Sequence, residues 1–214
     1  MTVTRGEPTD RAPVPATINP VAGLMQRSLN LPNLITVSRL VLAVVLFALI
    51  APGEPALAIP AAILFLVAAG TDAIDGYIAR RYGLITTVGR ILDPFADKII
   101  VCGTFIFLLE QHPHSGVNAS MVVIVVGREM FVTGLRSFLE QQGVDFSASL
   151  SGKLKMVIQC VAITASLLSI SPMLARPDFI GFRDVTLWLA VAITFYSGVI
   201  YIWRAAQLLR SQLS

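Results

Sequence analysis

Four aspartates lie in or at the ends of two neighbouring apolar segments of the chain: Asp72, Asp75, Asp93 and Asp97. In a helix, Asp72 and Asp75 (i, i+3) share one face, and Asp93 and Asp97 (i, i+4) share another. Four carboxylates on two adjacent helices predict a site for hard divalent cations. Mg²⁺ prefers such oxygen ligands and commonly shares its coordination shell with substrate phosphates.

Small residues continue both acidic faces: Gly76 and Ala79 follow the first pair, and Gly89 precedes the second. They would allow a substrate to lie against the helix backbone. Small residues also serve helix packing in membranes, and a single aspartate can pair with an arginine. A proton or ion pathway is the other alternative, but it needs neither small residues nor nearby cations.

A second set of charges suggests an anion pocket. It consists of four cations at the ends of the fourth and fifth apolar segments: Arg128, Arg136, Lys153 and Lys155. Flanking of membrane spans by basic residues is the alternative for the two lysines. Arg128 follows an apolar run and requires a phosphate or an acid such as Glu129 as its partner. These cations favour a phosphorylated substrate over choline, ethanolamine or serine.

The composition indicates an integral membrane protein. Hydrophobic residues make up 55% and charged residues 14% of 214 residues, and the mean hydropathy is +0.76. Ordinary soluble domains contain roughly 25% charged residues, so a soluble enzyme and a disulfide-rich secreted module are excluded. The net charge of +3 gives no support to nucleic-acid binding. Cys102 and Cys160 lie in apolar runs and are expected to be free thiols.

Six apolar segments predict an all-α membrane fold with six transmembrane helices. We place them near residues 33–51, 57–80, 87–110, 117–140, 153–171 and 184–208. Residues 1–20, rich in proline, are predicted to be a disordered lead, residues 21–31 a short amphipathic helix on the membrane surface, and residues 32–210 the six-helix domain.

Lys and Arg residues cluster in alternate loops, which predicts that both termini are cytoplasmic. Arg176 and Arg183 depart from this distribution, because they lie in a loop predicted to be outside the cell. His112 and His114 lie in another outer loop and are expected to be solvated.

The residues from Asp72 to Asp97 match the pattern D-x2-D-G-x2-A-R-x8-G-x3-D-x3-D at every fixed position. This pattern resembles that of the CDP-alcohol phosphotransferase family. The resemblance implies a homodimeric six-helix membrane enzyme with two Mg²⁺ or Mn²⁺ ions at the cytoplasmic side. It implies that the aspartates are metal ligands, with Asp97 also the candidate general base, and that the CDP donor is bound by Gly76, Ala79, Arg80 and Gly89. Thr36 and Arg39 are further candidates for the donor pocket.

Further stretches are similar to the bacterial members of that family that use glycerol 3-phosphate. They are residues 31–39, 92–98, 128–136 and 152–159. This likeness implies that CDP-diacylglycerol and sn-glycerol 3-phosphate react to give phosphatidylglycerol phosphate and CMP at the cell (inner) membrane. The four cations serve an inositol phosphate equally well, so the charges alone leave that acceptor open.

Overall fold

The computed structural model describes the backbone of residues 31–82, 87–141 and 150–213, and the side chains of residues 37–71, 95, 98–139 and 154–208. The predicted lead and surface helix lie outside these residues. A 3-10 turn, Pro55–Leu57, precedes the second of six α-helices in the described part of the chain. The helices are α1 Leu31–Ile50, α2 Ala58–Tyr82, α3 Thr87–Glu110, α4 Ala119–Gln141, α5 Leu150–Ser169 and α6 Pro177–Leu213.

The six helices confirm the predicted all-α architecture, and five of them begin within a few residues of their predicted positions. α4 shows what sets such a boundary. The Asn118 side chain accepts a hydrogen bond from the backbone N–H of Met121 at 3.0 Å. This cap satisfies one of the N–H groups that a helix start leaves without a partner, so α4 begins at Ala119.

The predicted start of the last helix was wrong. α6 begins at Pro177, not at residue 184. Proline suits the first position of a helix because its missing N–H is not needed there, and Asp178 in the first turn favours the positive end of the helix dipole. Arg183, which was assigned to the preceding loop, lies inside this helix.

The buried Arg183 side chain explains why these charges are tolerated. Its guanidinium pairs with the neighbouring Asp184 at 2.7 Å and donates hydrogen bonds to the His114 carbonyl at 2.7 Å and to Ser169 Oγ at 3.3 Å. Gly116 has φ +73°, and a Cβ there would lie 2.6 Å from Arg183 Nε. Arg183 therefore ties α6 to the end of α5 and to the loop before α4.

The core is formed by all six helices. α1 packs against α2 and α3, α6 packs against α4 and α5, and α2 contacts α5. At the contact of α1 with α3, the Phe47 and Phe107 rings stack 4.8 Å apart. A Cβ at Gly103 would overlap the Phe47 ring, so glycine permits this close approach.

The outer surface of the bundle exposes many large apolar side chains, among them Val44, Val123 and Val185. Exposed apolar side chains in this number are typical of a protein that contacts a membrane or a partner. Among the described residues, the stretch Pro177–Leu208 is long and apolar enough to cross a membrane, and an 18-residue segment within it has a mean hydropathy of 1.9. Three shorter apolar stretches occur at Val37–Ile50, Pro55–Thr71 and Leu154–Ser169.

Candidate active site

The predicted metal-binding aspartates lie on two consecutive helices that contact each other. Asp72 and Asp75 belong to the C-terminal half of α2, and Asp93 and Asp97 belong to the N-terminal half of α3. Only residues 83–86 separate the two helices, so both acidic stretches lie close to the same connection. The side chains themselves lie outside the described residues, and so do those of the predicted donor residues Thr36, Gly76, Ala79, Arg80 and Gly89. Their roles stay predictions.

Directly after Asp97, the side chain of Lys98 joins a buried group of charges around Glu129. Lys98 Nζ lies 3.3 Å from Glu129 Oε2, Arg128 NH1 lies 3.2 Å from Glu129 Oε1, and Lys155 Nζ donates to the same Oε1 atom. We call these four residues the Glu129 cluster. α3, α4 and α5 each contribute to it.

The Glu129 cluster is rich in positive charge and largely buried. Only 4% of the Glu129 side chain and 6% of the Lys155 side chain are exposed. Among the residues whose side chains the structure describes, the cluster holds three cations and one carboxylate, a formal charge of +2. Buried charges of this kind are stable only when counter-charges lie close to them.

A small cavity of about 30 Å³ adjoins the Glu129 cluster, large enough for about one water molecule. Its polar lining consists of Arg39, Lys98, Glu129 and Gln159. Arg39 is only 2% exposed, so a further cation is held on the same side of the bundle by α1. Gln159 is fixed by a hydrogen bond of 3.0 Å from its amide to Thr194 Oγ1 on α6.

An apolar groove of about 510 Å³ continues from this cavity between α2, α5 and the start of α6. The two spaces share Ala69, Met156 and Cys160 as lining residues. Val157 and Phe182 line the groove and are themselves at least half exposed. The groove is therefore open at the outer, apolar surface of the bundle, while its inner end meets charged side chains.

Comparison with known proteins places this arrangement in a family. The model of the CDP-alcohol phosphatidyltransferase family matches residues 29–196. A CDP-diacylglycerol–glycerol-3-phosphate 3-phosphatidyltransferase of Bacillus subtilis is 37% identical over 183 residues, which cover 79% of this chain and 91% of that protein. Proteins of the same name from Rickettsia bellii and Escherichia coli K12 are 35% and 31% identical, covering 80% and 84% of this chain and 93% of each relative.

The chain belongs to the CDP-alcohol phosphatidyltransferase family. The region that matches this family includes all four aspartates and the Glu129 cluster. It ends at residue 196, before the last turns of α6.

Within this family member, the structure brings together three of the four predicted acceptor cations. Arg128 and Lys155 meet at Glu129. Arg136 lies two turns further along α4, where its guanidinium carbon is 6.0 Å from the centre of the Tyr201 ring. The side chain of Lys153 lies outside the described residues.

Two residues of this site were not predicted as site residues. Lys98 had a visible signal, because a lysine that directly follows an intramembrane aspartate needs a buried partner. Tyr201 had no such signal in the sequence, because it lies in an apolar helix and its partners Arg128 and Arg136 belong to α4. Glu129 was expected only as a partner of Arg128, and the structure shows that it also binds Lys98 and Lys155.

Proposed function

We propose that this protein transfers the phosphatidyl group from CDP-diacylglycerol to sn-glycerol 3-phosphate, giving phosphatidylglycerol phosphate and CMP. This is the reaction of a phosphatidylglycerolphosphate synthase, and relatives that carry the corresponding name are 31–37% identical to the chain. The structural observation that carries the proposal is the position of Lys98. It follows Asp97 directly in α3 and binds Glu129, which supports a predicted metal site close to the basic cluster.

The proposed metal site fits the residues that are present. Asp72, Asp75, Asp93 and Asp97 would hold two Mg²⁺ or Mn²⁺ ions, because carboxylate oxygens are the ligands these ions accept. When bound, such ions neutralise charge on the diphosphate and on the departing CMP.

The chain's own residues then have distinct tasks. A hydroxyl oxygen of glycerol 3-phosphate forms a bond to the phosphorus that carries diacylglycerol, and the bond from that phosphorus to the oxygen of CMP breaks. Asp97 takes the proton of the attacking hydroxyl. Arg128, Arg136, Lys153 and Lys155 bind the acceptor's phosphate through charge-assisted hydrogen bonds and hold the hydroxyl near the phosphorus.

The apolar groove and the charged residues at its inner end match the two parts of the donor. An acyl chain of CDP-diacylglycerol would lie in the apolar groove, and its anionic diphosphate would lie toward Arg39, Lys98 and the predicted CDP-binding residues. The apolar part of such a lipid would meet the apolar groove, and its anionic part would meet the cations Arg39 and Lys98 beside the cavity.

The same proposal includes six membrane-spanning helices, cytoplasmic termini, an active site that faces the cytoplasm, and a homodimer in the cell membrane. The exposed apolar surface supports the membrane location. Arg183, which departs from the predicted distribution of basic residues, pairs with Asp184 and with the His114 carbonyl. Its position is therefore explained by packing at the helix ends.

The reaction is tested with detergent-purified protein and radiolabelled CDP-diacylglycerol. The acceptors are glycerol 3-phosphate, inositol 1-phosphate, inositol, serine and phosphatidylglycerol. We expect CMP release and labelled phosphatidylglycerol phosphate with glycerol 3-phosphate, loss of both with EDTA, and recovery with Mg²⁺ or Mn²⁺. Product with inositol 1-phosphate alone would change the acceptor and leave the mechanism standing, whereas no metal-dependent CMP with any acceptor would contradict the enzyme itself.

The position of the donor predicts that CDP-diacylglycerol protects Cys160 from N-ethylmaleimide. Cys160 is partly exposed at the border of cavity and groove, and the second cysteine of the chain, Cys102, is buried. Mass spectrometry should show that modification of Cys160 slows severalfold with CDP-diacylglycerol and is unaffected by phosphatidylcholine. The Cys160→Ser variant measures how much N-ethylmaleimide reacts with Cys102 alone. Equal modification with and without the donor would exclude the groove as its site.

A further inference from the structure

Tyr201 connects the two arginines of the predicted acceptor pocket. It lies on α6 beyond the region that matches the family, is 4% exposed, and packs with Val132, Leu139 and Ala205 in a small apolar cluster of its own. Its hydroxyl accepts a hydrogen bond of 3.4 Å from Arg136.

The same ring is close to both guanidinium groups. Their central carbons lie 5.5 Å (Arg128) and 6.0 Å (Arg136) from its centre. Both distances are within the range of cation–π attraction, where the negative face of an aromatic ring draws a cation. Arg128 and Arg136 are eight residues apart on α4, which separates their backbones by about 12 Å along the helix. One ring therefore gathers two cations that the helix alone would leave apart.

The backbone of α6 is shaped for this contact. Gly198 lies one turn before Tyr201, and a Cβ there would approach the Arg128 Cγ atom to 3.1 Å. Glycine thus lets the stem of Arg128 lie against α6, where its guanidinium reaches both Tyr201 and Glu129.

Two neighbouring positive charges such as Arg128 and Arg136 repel each other at short range, so other groups must compensate for the repulsion. Within the described residues, Arg136 has no carboxylate at salt-bridge distance, and Tyr201 is its hydrogen-bond partner. The buried Nε atoms of Arg128 and Arg136 have no hydrogen-bond partner in the same part of the chain. Donors left in this state favour a ligand rich in oxygen.

We propose that Tyr201 is a positioning residue that holds Arg128 and Arg136 in the orientation that binds the acceptor's phosphate. The inference rests on the proposed function, because it assigns a phosphorylated acceptor to these arginines. Tyr201 itself touches the arginines and takes no part in the transfer.

The test compares Michaelis constants of Tyr201→Leu, Tyr201→Phe and wild type for both substrates. The leucine variant loses the ring, and we expect its KM for glycerol 3-phosphate to rise about tenfold, with the KM for CDP-diacylglycerol within twofold of wild type. The phenylalanine variant keeps the ring and loses the hydroxyl, so its acceptor KM should rise about two- to threefold.

Two further variants separate positioning from packing. Leu139→Ala disturbs the same apolar cluster and should lower the melting temperature without raising the acceptor KM. In an Arg136→Ala background, Tyr201→Leu should raise the acceptor KM clearly less than it does in wild type, because one of the two groups it holds is already absent.

The outcomes distinguish this inference from the proposed function. If wild type uses no phosphorylated acceptor, both fail. If wild type uses glycerol 3-phosphate and Tyr201→Leu keeps the wild-type KM, only the role of Tyr201 fails, and the same holds if Leu139→Ala raises the acceptor KM equally. Should Tyr201→Leu not fold, an unchanged acceptor KM in Tyr201→Phe would overturn the inference.

Discussion

Asp97→Asn is expected to lower kcat by about a thousandfold or more while CDP-diacylglycerol still binds. Removal of a general base costs about 10²–10⁴ in rate, and this carboxylate is also a predicted metal ligand. Single-turnover CMP release measures the chemical step. Protection of Cys160 from N-ethylmaleimide measures donor binding in the inactive variant.

Two comparisons make this result specific to Asp97. Asp72→Asn removes a predicted ligand alone, so a high Mg²⁺ concentration should restore part of its rate but little of the rate of Asp97→Asn. Glu110→Gln changes an exposed carboxylate at the C-terminal end of α3, the helix that contains Asp97. This variant should leave kcat unchanged. A near-normal rate for Asp97→Asn would show that another group accepts the proton.

Glu129→Gln is expected to lower the free energy of unfolding by about 3–5 kcal/mol, because breaking a buried ion pair leaves uncompensated charge. The substitution would leave Lys98, Arg128 and Lys155 close together without their shared carboxylate. Thermal unfolding in detergent should show a lower melting temperature, which phosphate or sulfate raises more in the variant than in wild type.

A second substitution provides the matched control. Lys155→Met in the Glu129→Gln background removes one of the buried cations and should recover part of the lost stability. Glu129→Asp keeps the charge and should be milder than Glu129→Gln. If Glu129→Gln unfolds at the wild-type temperature, the carboxylate does not hold the cluster together.

The helices were predictable because apolar content is a local property of the chain. The third segment was predicted at residues 87–110, the range that α3 occupies. The prediction for the start of α6 was wrong because Arg183 donates a hydrogen bond to the carbonyl of His114, which lies 69 residues earlier in the chain. No local pattern reveals that an arginine will be neutralised by a carbonyl so distant in sequence.

The candidate site also contains residues that the sequence predicted and residues that it did not. Arg128 and Lys155 were predicted to share a pocket from their positions at helix ends, and the structure joins them through Glu129. Tyr201 was not predicted, since its role depends on the distance between α4 and α6. The four aspartates were identified from their spacing, and their side chains lie outside the described residues.

The border at Ala69, Met156 and Cys160, where the apolar groove meets the charged cavity, has a kinetic consequence. With the proposed substrates, the donor reaches the site by lateral diffusion within the bilayer, whereas glycerol 3-phosphate arrives from water. The donor's effective concentration is then its mole fraction in the membrane or micelle, and the acceptor's is its bulk molarity. Added detergent would slow the reaction by diluting the donor within the surface, although the amount of every reactant per volume stays the same.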